Sequence, residues 1–316
     1  MKVLVNDGIS NAGKTRMEEA GFEVIETKVA QEQLANYINE NQITALLVRS
    51  ATQVDKALIN ACPDLKLIGR GGVGLDNIDV AHAKSKGVHV VNTPAASSES
   101  VAELVMGHLL SGVRYLADAN RAMPLEGDSN FKQLKKAYQK GVELKGKTLG
   151  IIGFGRIGQA LARRAIGMGM TVVFHDHQHQ EQQLTMDFFD GQRITFNLKG
   201  ISMDDLLKQS DFVSIHVPRT NGYVIGAAEI GKMKSGAGIV NAARGGVLDE
   251  VALVKALDNG QLSFAGLDVF ESEPVPEIKL LMHPRISLSP HVGGSTVEAQ
   301  DRIGLELADQ IISILD

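Results

Sequence analysis

The segment at residues 147–176 is the feature that most constrains the fold of this chain. An apolar run of strand length at 148–152 is followed by three glycines in G-x-G-x-x-G spacing, Gly153, Gly155 and Gly158. Apolar residues then recur at helical spacing, and a second apolar run ends at Asp176, 18 residues beyond the third glycine. A glycine triplet between a strand and a helix, closed by an acid at this distance, is typical of a βαβ unit that binds a dinucleotide.

Each part of this unit has a physical reason. The first glycine allows a tight turn, the second lets a pyrophosphate approach the backbone, and the third lets the helix lie close to the strand. The free N–H groups at the helix start, around Arg156 and Ile157, favour phosphate. The Asp176 carboxylate suits both ribose hydroxyls and would repel a 2′-phosphate, so the segment predicts NAD rather than NADP. The alternative is a glycine-rich turn without a ligand, and it would require all these features to coincide by chance.

Composition restricts the possible partners. A net charge of −5 over 316 residues, with no run of Lys or Arg, argues against nucleic acid and anionic membranes. No apolar run approaches the length of a membrane span. The single cysteine, Cys62, excludes an intramolecular disulfide. The N-terminus opens directly on an apolar strand without a signal peptide, so we expect a cytoplasmic protein of two domains.

Strands alternate with helices through the first 91 residues, which predicts a doubly wound parallel sheet with helices on both faces. Ligands of such sheets bind beyond the carboxyl ends of the strands. Basic and glycine-rich segments follow two of these strands, and we expect them to face a ligand: Arg49, Ser50, Arg70, Gly72, Val73 and Gly74.

The middle of the chain is less regular. Residues 92–96 are expected to be a linker and 98–116 a long helix, whereas the lysine-rich segment 117–146 is expected at the surface or at a subunit contact. The polar segment 177–203 begins within a cluster of three histidines, His175, His177 and His179. A metal site is the alternative to a solvated loop, but no thiol or carboxylate framework accompanies the histidines, so no metal is predicted.

Three strands of the second half each lead into a polar side chain, Arg244, Glu273 and His291. The carboxyl ends of parallel strands meet at one sheet edge, so these groups are expected near the cofactor. His291 is suited to accept a hydroxyl proton near neutral pH, Glu273 to fix its tautomer, and Arg244 to bind a carboxylate. Taken singly, each residue is better explained by a structural role, whereas their combination beside a dinucleotide unit favours hydride transfer.

Four motifs occur in the order found in the D-isomer-specific 2-hydroxyacid dehydrogenases, and the chain resembles this family over nearly its whole length. They are Gly-Phe-Gly-Arg-Ile-Gly, Asn-Ala-Ala-Arg-Gly-Gly, Leu-Asp-Val-Phe-Glu-Ser-Glu-Pro and Ser-Pro-His-Val-Gly-Gly-Ser-Thr. The family's catalytic arginine, glutamate and histidine would fall on Arg244, Glu273 and His291. Glu271 is a rival for the glutamate, but the family's acid directly precedes proline, as Glu273 does.

The resemblance further implies the fold and the remaining site residues. It implies a Rossmann NAD-binding domain at 98–288 and a flavodoxin-like substrate domain made of 1–97 and 289–316. Asp268 would meet the nicotinamide carboxamide, and Arg49 and Arg70 would face the substrate. The other cofactor-lining positions implied are Val73, Val217, Pro218, Ala242, Gly293 and Gly294.

Within the family the chain is most similar to dehydrogenases of D-3-phosphoglycerate, on residues 48–52, 69–77, 293–296 and 298–300. This implies NAD-dependent oxidation of that acid to 3-phosphohydroxypyruvate, in serine biosynthesis. The two anionic ends of this phosphorylated 2-hydroxy acid need two cationic clamps, which would be Arg244 for the carboxylate and Arg49 with Arg70 for the phosphate. The alternatives are a glyoxylate or hydroxypyruvate reductase, and an NAD-sensing corepressor of the same fold.

Two departures and two further expectations accompany the resemblance. The family often has a tryptophan and an arginine before the glycine-rich strand, whereas this chain has no tryptophan, and Leu134 and Lys136 stand there instead. The segment 177–203 is also longer than expected. The resemblance implies a homodimer through the helix from Ser98 and the segment after it. Because the chain stops at Asp316 after its closing helix, feedback inhibition by serine is not expected.

Overall fold

The computed structural model describes residues 1–315, and Asp316, which was assigned to the predicted substrate domain, lies outside the described residues. The chain divides into two compact units. Unit 1 comprises Met1–Ser100 and the segment from Gly294 onward, and unit 2 is the continuous segment Val101–Gly293.

Unit 1 is built on a five-stranded parallel sheet in the order β2-β1-β3-β4-β5. Its strands are β1 (Lys2–Val5), β2 (Glu23–Glu26), β3 (Ala45–Val48), β4 (Leu67–Arg70) and β5 (His89–Asn92). Strand β3 is buried along its whole length, as expected for a central strand covered on both faces.

Three of the four helices in the first 90 residues begin at a side-chain cap. The four helices are α1 (Asn11–Glu19), α2 (Leu34–Glu40, preceded by the 3-10 turn Gln31–Gln33), α3 (Lys56–Ala61) and α4 (Val80–Ser85). The side chains of Ser10, Asp55 and Asp79 accept hydrogen bonds from backbone N–H groups in the first turns of α1, α3 and α4. These caps define where each helix starts beyond its strand.

Unit 2 contains a six-stranded parallel sheet in the order β13-β12-β11-β10-β6-β7, together with a separate antiparallel hairpin. The strands of the sheet are β6 (Thr148–Ile152), β7 (Thr171–His175), β10 (Phe212–Ile215), β11 (Ala237–Asn241), β12 (Leu262–Leu267) and β13 (Ile286–Leu288), and those of the hairpin are β8 (Glu181–Asp187) and β9 (Arg193–Lys199). The strand order reverses at β6, where the glycine loop begins, and this is the place where open α/β sheets bind ligands.

Helices cover both faces of this sheet. They are α5 (Ser98–Val113), α6 (Leu116–Glu126), α7 (Phe131–Ala137), α8 (Arg156–Gly167), α9 (Met203–Gln209), α10 (Ala227–Lys232), α11 (Glu250–Asp258) and α12 (Ile278–Leu281). One buried apolar cluster includes residues of α9, α10 and α11, and the other includes residues of α5 and α8. The predicted architecture of two doubly wound parallel-sheet units is confirmed.

The last helix, α13 (Val297–Leu315), returns the chain to unit 1. Its buried side chains, among them Leu307 and Ile311, lie in the apolar clusters of that unit. It packs closely on α1, because a Cβ on Gly13 would lie 2.5 Å from a backbone atom of Gly304. Within residues 1–315, none of the helices combines the length and the apolar character that crossing a membrane requires.

Two segments differ from the local predictions. The polar segment 177–203 contains the hairpin β8–β9, whose Leu184 is fully buried beside α8. The helix predicted at 98–116 ends at Val113, because Tyr115 has a left-handed backbone (φ 57°), and α6 begins directly after it. The lysine-rich segment, for which no secondary structure was predicted, contains most of α6 and all of α7.

The observed division lies close to the predicted 97/98 and 288/289 boundaries but differs from both. Ser98 to Ser100 group with unit 1, where the Ser100 hydroxyl bonds that of Thr296 at 2.7 Å. Residues 289–293 group with unit 2 rather than unit 1, because Asp268 binds this segment through both its backbone and its side chain. His291 therefore belongs to the same unit as Glu273 and Arg244.

Candidate active site

The glycine loop between β6 and α8 has room for a ligand only at its centre. Gly153 has φ +89°, and a Cβ there would lie 2.5 Å from the carbonyl oxygen of His216. A Cβ on Gly158 would overlap the carbonyl oxygen of Gly153, so this helix–strand approach also needs glycine. A Cβ on Gly155 would meet no atom within 4 Å, and no side chain caps the start of α8 here. Open space beside the uncapped N-terminus of a twelve-residue helix is suited to a pyrophosphate. Arg156 and Ile157 form the first turn of this helix.

Asp176 lies just after β7 and binds the glycine loop directly. Its Oδ2 accepts the Phe154 N–H at 2.6 Å, and its Oδ1 accepts those of Gln178 and His179 at 2.7 and 3.0 Å. Burial raises the pKa of this carboxyl, but the three backbone hydrogen bonds outweigh burial and hold the pKa below its usual value. The carboxylate is therefore ionised and held beside the glycine loop.

Residues after β10 and β11 form the next part of the same sheet edge. Val217 Cγ1 lies 2.9 Å from the position that a Gly153 Cβ would occupy, so it adjoins the glycine loop. Pro218 follows as an exposed residue, and Ala242 is buried directly after β11. His216 lies at the end of β10 and hydrogen-bonds Ser214 Oγ at 2.8 Å. Burial lowers the pKa of His216 to about 4, which keeps its ring neutral.

Arg244 is held by the turn that follows β11. The buried Asn241 side chain accepts the Ala243 N–H and donates to the Arg244 carbonyl oxygen at 3.1 and 2.9 Å. Arg244 Nη1 donates to the Ala243 carbonyl oxygen at 2.7 Å. The next residue, Gly245, lies so close to the chain after β12 that a Cβ there would overlap the carbonyl oxygen of Phe270. This approach brings the loop of Arg244 against the loop that carries Glu273.

Glu273 and His291 form a hydrogen-bonded pair. Glu273 Oε2 lies 2.8 Å from His291 Nδ1, and Glu273 Oε1 accepts the Phe270 N–H at 2.9 Å. Among the described residues none hydrogen-bonds His291 Nε2, and the imidazole is partly open to solvent. The rival Glu271 points elsewhere, toward the Glu250 N–H and the Tyr223 hydroxyl, both at 3.2 Å. The pair with a free imidazole nitrogen is therefore the one made by Glu273.

Asp268 holds the loop on which His291 stands. Its backbone carbonyl accepts the His291 N–H at 2.8 Å, and its two carboxylate oxygens accept the N–H groups of Val292 and Gly293, both at 2.9 Å. The side chain is buried. His291 itself has a left-handed backbone with φ 54°, which is uncommon for a residue with a side chain. The geometry gives Asp268 a role in shaping this loop, in addition to the nicotinamide contact that the resemblance implies.

The predicted substrate residues lie in unit 1, at the carboxyl ends of β3 and β4. Arg49 follows β3, and its Cγ lies 3.7 Å from the position of a Cβ on Gly71, so the two strand ends adjoin. Among the described residues none accepts a hydrogen bond from the Arg49 guanidinium. The other predicted positions are the exposed Ser50 and Val73, the partly buried Arg70 and Gly74, and Gly72, whose φ is +145°. Gly294 also lies in unit 1, where a Cβ on it would lie 3.2 Å from Ser97 Cβ.

Two polar residues that shape this edge were not predicted by the sequence analysis. Asp7 Oδ2 accepts the N–H groups of Arg49 and Thr52 at 2.7 and 3.2 Å, and the other oxygen pairs with Lys28. Asn77 donates to the carbonyl oxygens of Arg49 and Thr52 at 2.7 and 2.6 Å. Asp7 follows β1 as Arg49 follows β3, so the strand-end criterion would have found it. Asn77 has no such signal.

The histidine cluster at the end of β7 forms local contacts. His175 Nδ1 lies 2.9 Å from the carbonyl oxygen of Ile201, and its ring meets that of His177 edge-on with centroids 5.2 Å apart. In the part of the chain that the structure describes, no three His, Cys, Asp or Glu side chains are grouped so that they could hold a metal ion.

Comparison with known proteins identifies related chains along the whole sequence. Residues 106–293 match the family described as D-isomer specific 2-hydroxyacid dehydrogenase, NAD binding domain. The chain is 44% identical to a hydroxypyruvate reductase of Thermotoga maritima, over 99% of this chain and 98% of that protein. It is 39% identical to a D-3-phosphoglycerate dehydrogenase of Methanocaldococcus jannaschii, spanning 100% of this chain but only 57% of that protein. A glyoxylate reductase crystal structure from Paecilomyes thermophila superimposes with a TM-score of 0.82 at 30% identity, covering 100% of this chain and 96% of that one.

Proposed function

Because the chain belongs to the D-isomer specific 2-hydroxyacid dehydrogenases, we propose that it oxidises D-3-phosphoglycerate with NAD, using Arg244, Glu273 and His291. The family and the NAD-binding domain make it an NAD-dependent oxidoreductase of 2-hydroxy acids. The observation that carries the assignment of residues is the 2.8 Å pair between Glu273 and His291, which leaves the second imidazole nitrogen free.

The chain's own groups supply the proton transfer. When bound, NAD accepts the hydride from the carbinol carbon of the substrate. Glu273 accepts the Nδ1–H of His291, which leaves the Nε2 lone pair free to take the hydroxyl proton. The carboxylate also favours the imidazolium that results, because an opposite charge lies within hydrogen-bond distance. In the reverse direction, the same nitrogen returns the proton to the carbonyl oxygen as hydride arrives at carbon.

Arg244 would orient the substrate by its carboxylate. A guanidinium can bind a carboxylate through two parallel hydrogen bonds, which fixes position as well as orientation. The buried Asn241 holds the backbone of Arg244, so the clamp would act from a fixed base. Glu273 and Arg244 stand on loops that touch at Gly245, which supports a shared role in one reaction.

Arg49 and Arg70 are proposed to bind the phosphate. D-3-phosphoglycerate has a second anionic end. Arg49 directly follows β3, and Arg70 is the last residue of the neighbouring strand β4. The Asp7 carboxylate at this edge is paired with Lys28, and the Arg49 guanidinium donates to no other described residue. A cation without a protein partner at a strand end supports anion binding there.

A hydroxypyruvate reductase is the second candidate, because the Thermotoga maritima relative matches at 44% identity along nearly its full length. Such an enzyme uses the same three side chains but needs no phosphate site. The two candidates differ in one measurement, the ratio of kcat/KM for 3-phosphohydroxypyruvate to that for hydroxypyruvate, with NADH as the reductant.

We expect the phosphorylated keto acid to be preferred, and Arg49→Ala to raise its KM much more than that of hydroxypyruvate. Lys28→Ala is the matched control, since this cation is already paired with Asp7. A wild-type preference for hydroxypyruvate, with equal effects of Arg49→Ala on both substrates, would establish the second candidate instead.

A homodimer in the cytoplasm is also part of the proposal. Helices α6 and α7 expose four large apolar side chains, Leu116, Met123, Leu125 and Phe131. Such a concentration of exposed apolar groups favours a protein contact, and two-fold dimers are the commonest assemblies. Sedimentation is expected to give a dimer, and Leu125→Glu combined with Phe131→Glu is expected to weaken it. A wild-type monomer at micromolar concentration would refute the dimer.

A further inference from the structure

A buried histidine outside the proposed catalytic residues lies behind the loop of His291. His108 belongs to α5 and is only 4% exposed. It packs directly on β12, because a Cβ on Gly266 would lie 2.6 Å from His108 Cβ. Its two ring nitrogens each lie 2.9 Å from a serine hydroxyl, Nδ1 from Ser287 and Nε2 from Ser289. A buried, titratable side chain with both nitrogens bonded is positioned with little freedom.

The hydrogen-bond directions around His108 follow from the chemistry of its partners. Ser289 Oγ lies 2.6 Å from Asp268 Oδ1, and an ionised carboxylate can only accept, so the single Ser289 proton goes to Asp268. Ser289 Oγ must then accept from His108 Nε2–H. The neutral ring accepts at Nδ1, and the Ser287 hydroxyl donates to it. Each of the four groups then has a hydrogen-bond partner. Proton donation runs in one direction, from Ser287 through His108 and Ser289 to Asp268.

This order requires a neutral His108. Burial lowers the pKa of His108 below its usual value, and the charge of Asp268, the charged group that faces it, opposes this only in part. A protonated ring would present Nδ1–H to Ser287, where the neutral ring presents an acceptor. The series of hydrogen bonds from Ser287 to Asp268 therefore requires the neutral form of His108.

Asp268 connects this chain to His291. The oxygen that accepts from Ser289 also accepts the Val292 N–H, and the other accepts the Gly293 N–H. These bonds hold the left-handed turn at His291, a conformation that is unfavourable for a residue with a side chain. The turn sets the direction in which the imidazole leaves the backbone.

We propose that His108 is a positioning residue for His291, acting through Ser289 and Asp268 to hold the turn that presents the imidazole. The inference rests on the proposed role of His291 as proton acceptor. His108 touches none of the reacting groups; it keeps the Asp268 carboxylate in the one orientation that bonds both N–H groups of the loop.

The test compares two substitutions of His108. His108→Leu removes both polar nitrogens, whereas His108→Gln retains an N–H donor near the position of Nε2. We expect His108→Leu to lower kcat about tenfold, to leave KM for NAD within about threefold, and to shift the acidic limb of the kcat/KM profile against pH. His108→Gln is expected to recover kcat to within about threefold of wild type. Ser111→Ala, on the same helix but outside the chain of hydrogen bonds, is the control.

Two further variants keep the test decisive. Ser289→Ala breaks the same chain without altering α5, so it replaces His108→Leu if that variant shows no cooperative unfolding transition. Ser289→Ala should reproduce the loss in kcat. The double variant of His108→Leu and Ser289→Ala should have a kcat no lower than either single variant, because both substitutions break the same series of hydrogen bonds. Wild-type kcat and pH profile in His108→Leu or Ser289→Ala, or equal losses in His108→Leu and His108→Gln, would overturn the positioning role. Full activity of His291→Ala would instead remove the proposed proton acceptor, and the inference with it.

Discussion

Proton transfer in the proposed reaction depends on one imidazole nitrogen. We expect His291→Ala to lower kcat by roughly 10²–10⁴-fold, since this is the usual contribution of a positioned general base. NAD affinity, measured by calorimetry, should stay near wild type, because the glycine loop and Asp176 are unchanged. Glu271→Gln is a control, because Glu271 bonds Tyr223 and the Glu250 N–H rather than His291. Near-normal turnover of His291→Ala would place the base elsewhere.

Asp176 determines a second prediction, the choice of cofactor. Its ionised carboxylate repels a 2′-phosphate. The ratio of kcat/KM for NAD to that for NADP should strongly favour NAD, and Asp176→Ala should narrow this ratio. The same variant loses the hydrogen bond to Phe154, so NAD affinity should also fall. A wild-type enzyme that prefers NADP would contradict the proposed role of the Asp176 carboxylate in selecting NAD.

The positions of single residues were predictable from sequence where they lie in the segment that follows a strand. Arg244, Glu273 and His291 lie after consecutive strands of one parallel sheet, so topology alone places them at one edge. His108 was not predictable in this way, because it lies in mid-helix among apolar residues. Its partners are 179 and 181 residues away, and only the packing of α5 on β12 brings them together.

At the scale of the elements, the contact between the loops after β11 and β12 depends on Gly245. A Cβ at this position would overlap the Phe270 carbonyl oxygen, and backbone cannot yield as a flexible side chain does. We expect Gly245→Ala to cost about 1–3 kcal/mol of unfolding free energy, measured with urea, and to lower kcat by displacing the loop of Arg244 from the loop that carries Glu273. Gly231→Ala is the matched control.

The control glycine differs in every relevant respect. Gly231 lies within α10, has no positive φ, and a Cβ there would meet nothing within 4 Å. Alanine should therefore stabilise α10 by about 0.5–1 kcal/mol. If both variants behaved alike, the close approach at Gly245 would have no energetic consequence.

The elements that the sequence did not predict are those with little apolar periodicity. Strand β8 has one fully buried side chain, Leu184, among polar neighbours, so its alternation is too weak to indicate a strand. Asp190 and Gly191 at the tip, with φ +83° at the glycine, are a turn signal that could have indicated the hairpin. The break at Tyr115 is also absent from the pattern, because nothing about tyrosine indicates a left-handed backbone.

For the whole molecule, buried neutral histidines link stability to pH. The pKa of His216 is about 4 in the folded protein, against an ordinary value of 6.5, and that of His108 is also lowered. The unfolded chain binds more protons between these values, so stability is fully present above pH 6.5 and falls as pH decreases toward 4. His216 alone accounts for up to roughly 3 kcal/mol.

Urea titrations at pH 7.5, 5.5 and 4.5 would measure this decline. Glu250 has the opposite effect on the pH dependence of stability. Burial raises its pKa in the folded protein, so the folded state loses stability as the pH rises above the pKa of Glu250 in the unfolded chain. A comparison of His216→Gln with wild type isolates the histidine. The variant should lose less unfolding free energy on acidification than wild type. If unfolding free energy fell equally with pH in both proteins, His216 would be excluded as the cause of the decline.

Because unit 1 is made of two segments that are separated in sequence by unit 2, its completion on the nascent chain is delayed. Synthesis runs from the N-terminus, so all of unit 2 is made before the ribosome reaches Val297–Leu315. Until then the side of α1 that receives α13 has no partner, and the close approach of Gly13 to Gly304 cannot form. Domains fold as units while the chain emerges. Unit 2 can therefore fold first, and α1, although it is synthesised before unit 2, is among the last elements to acquire its native neighbours.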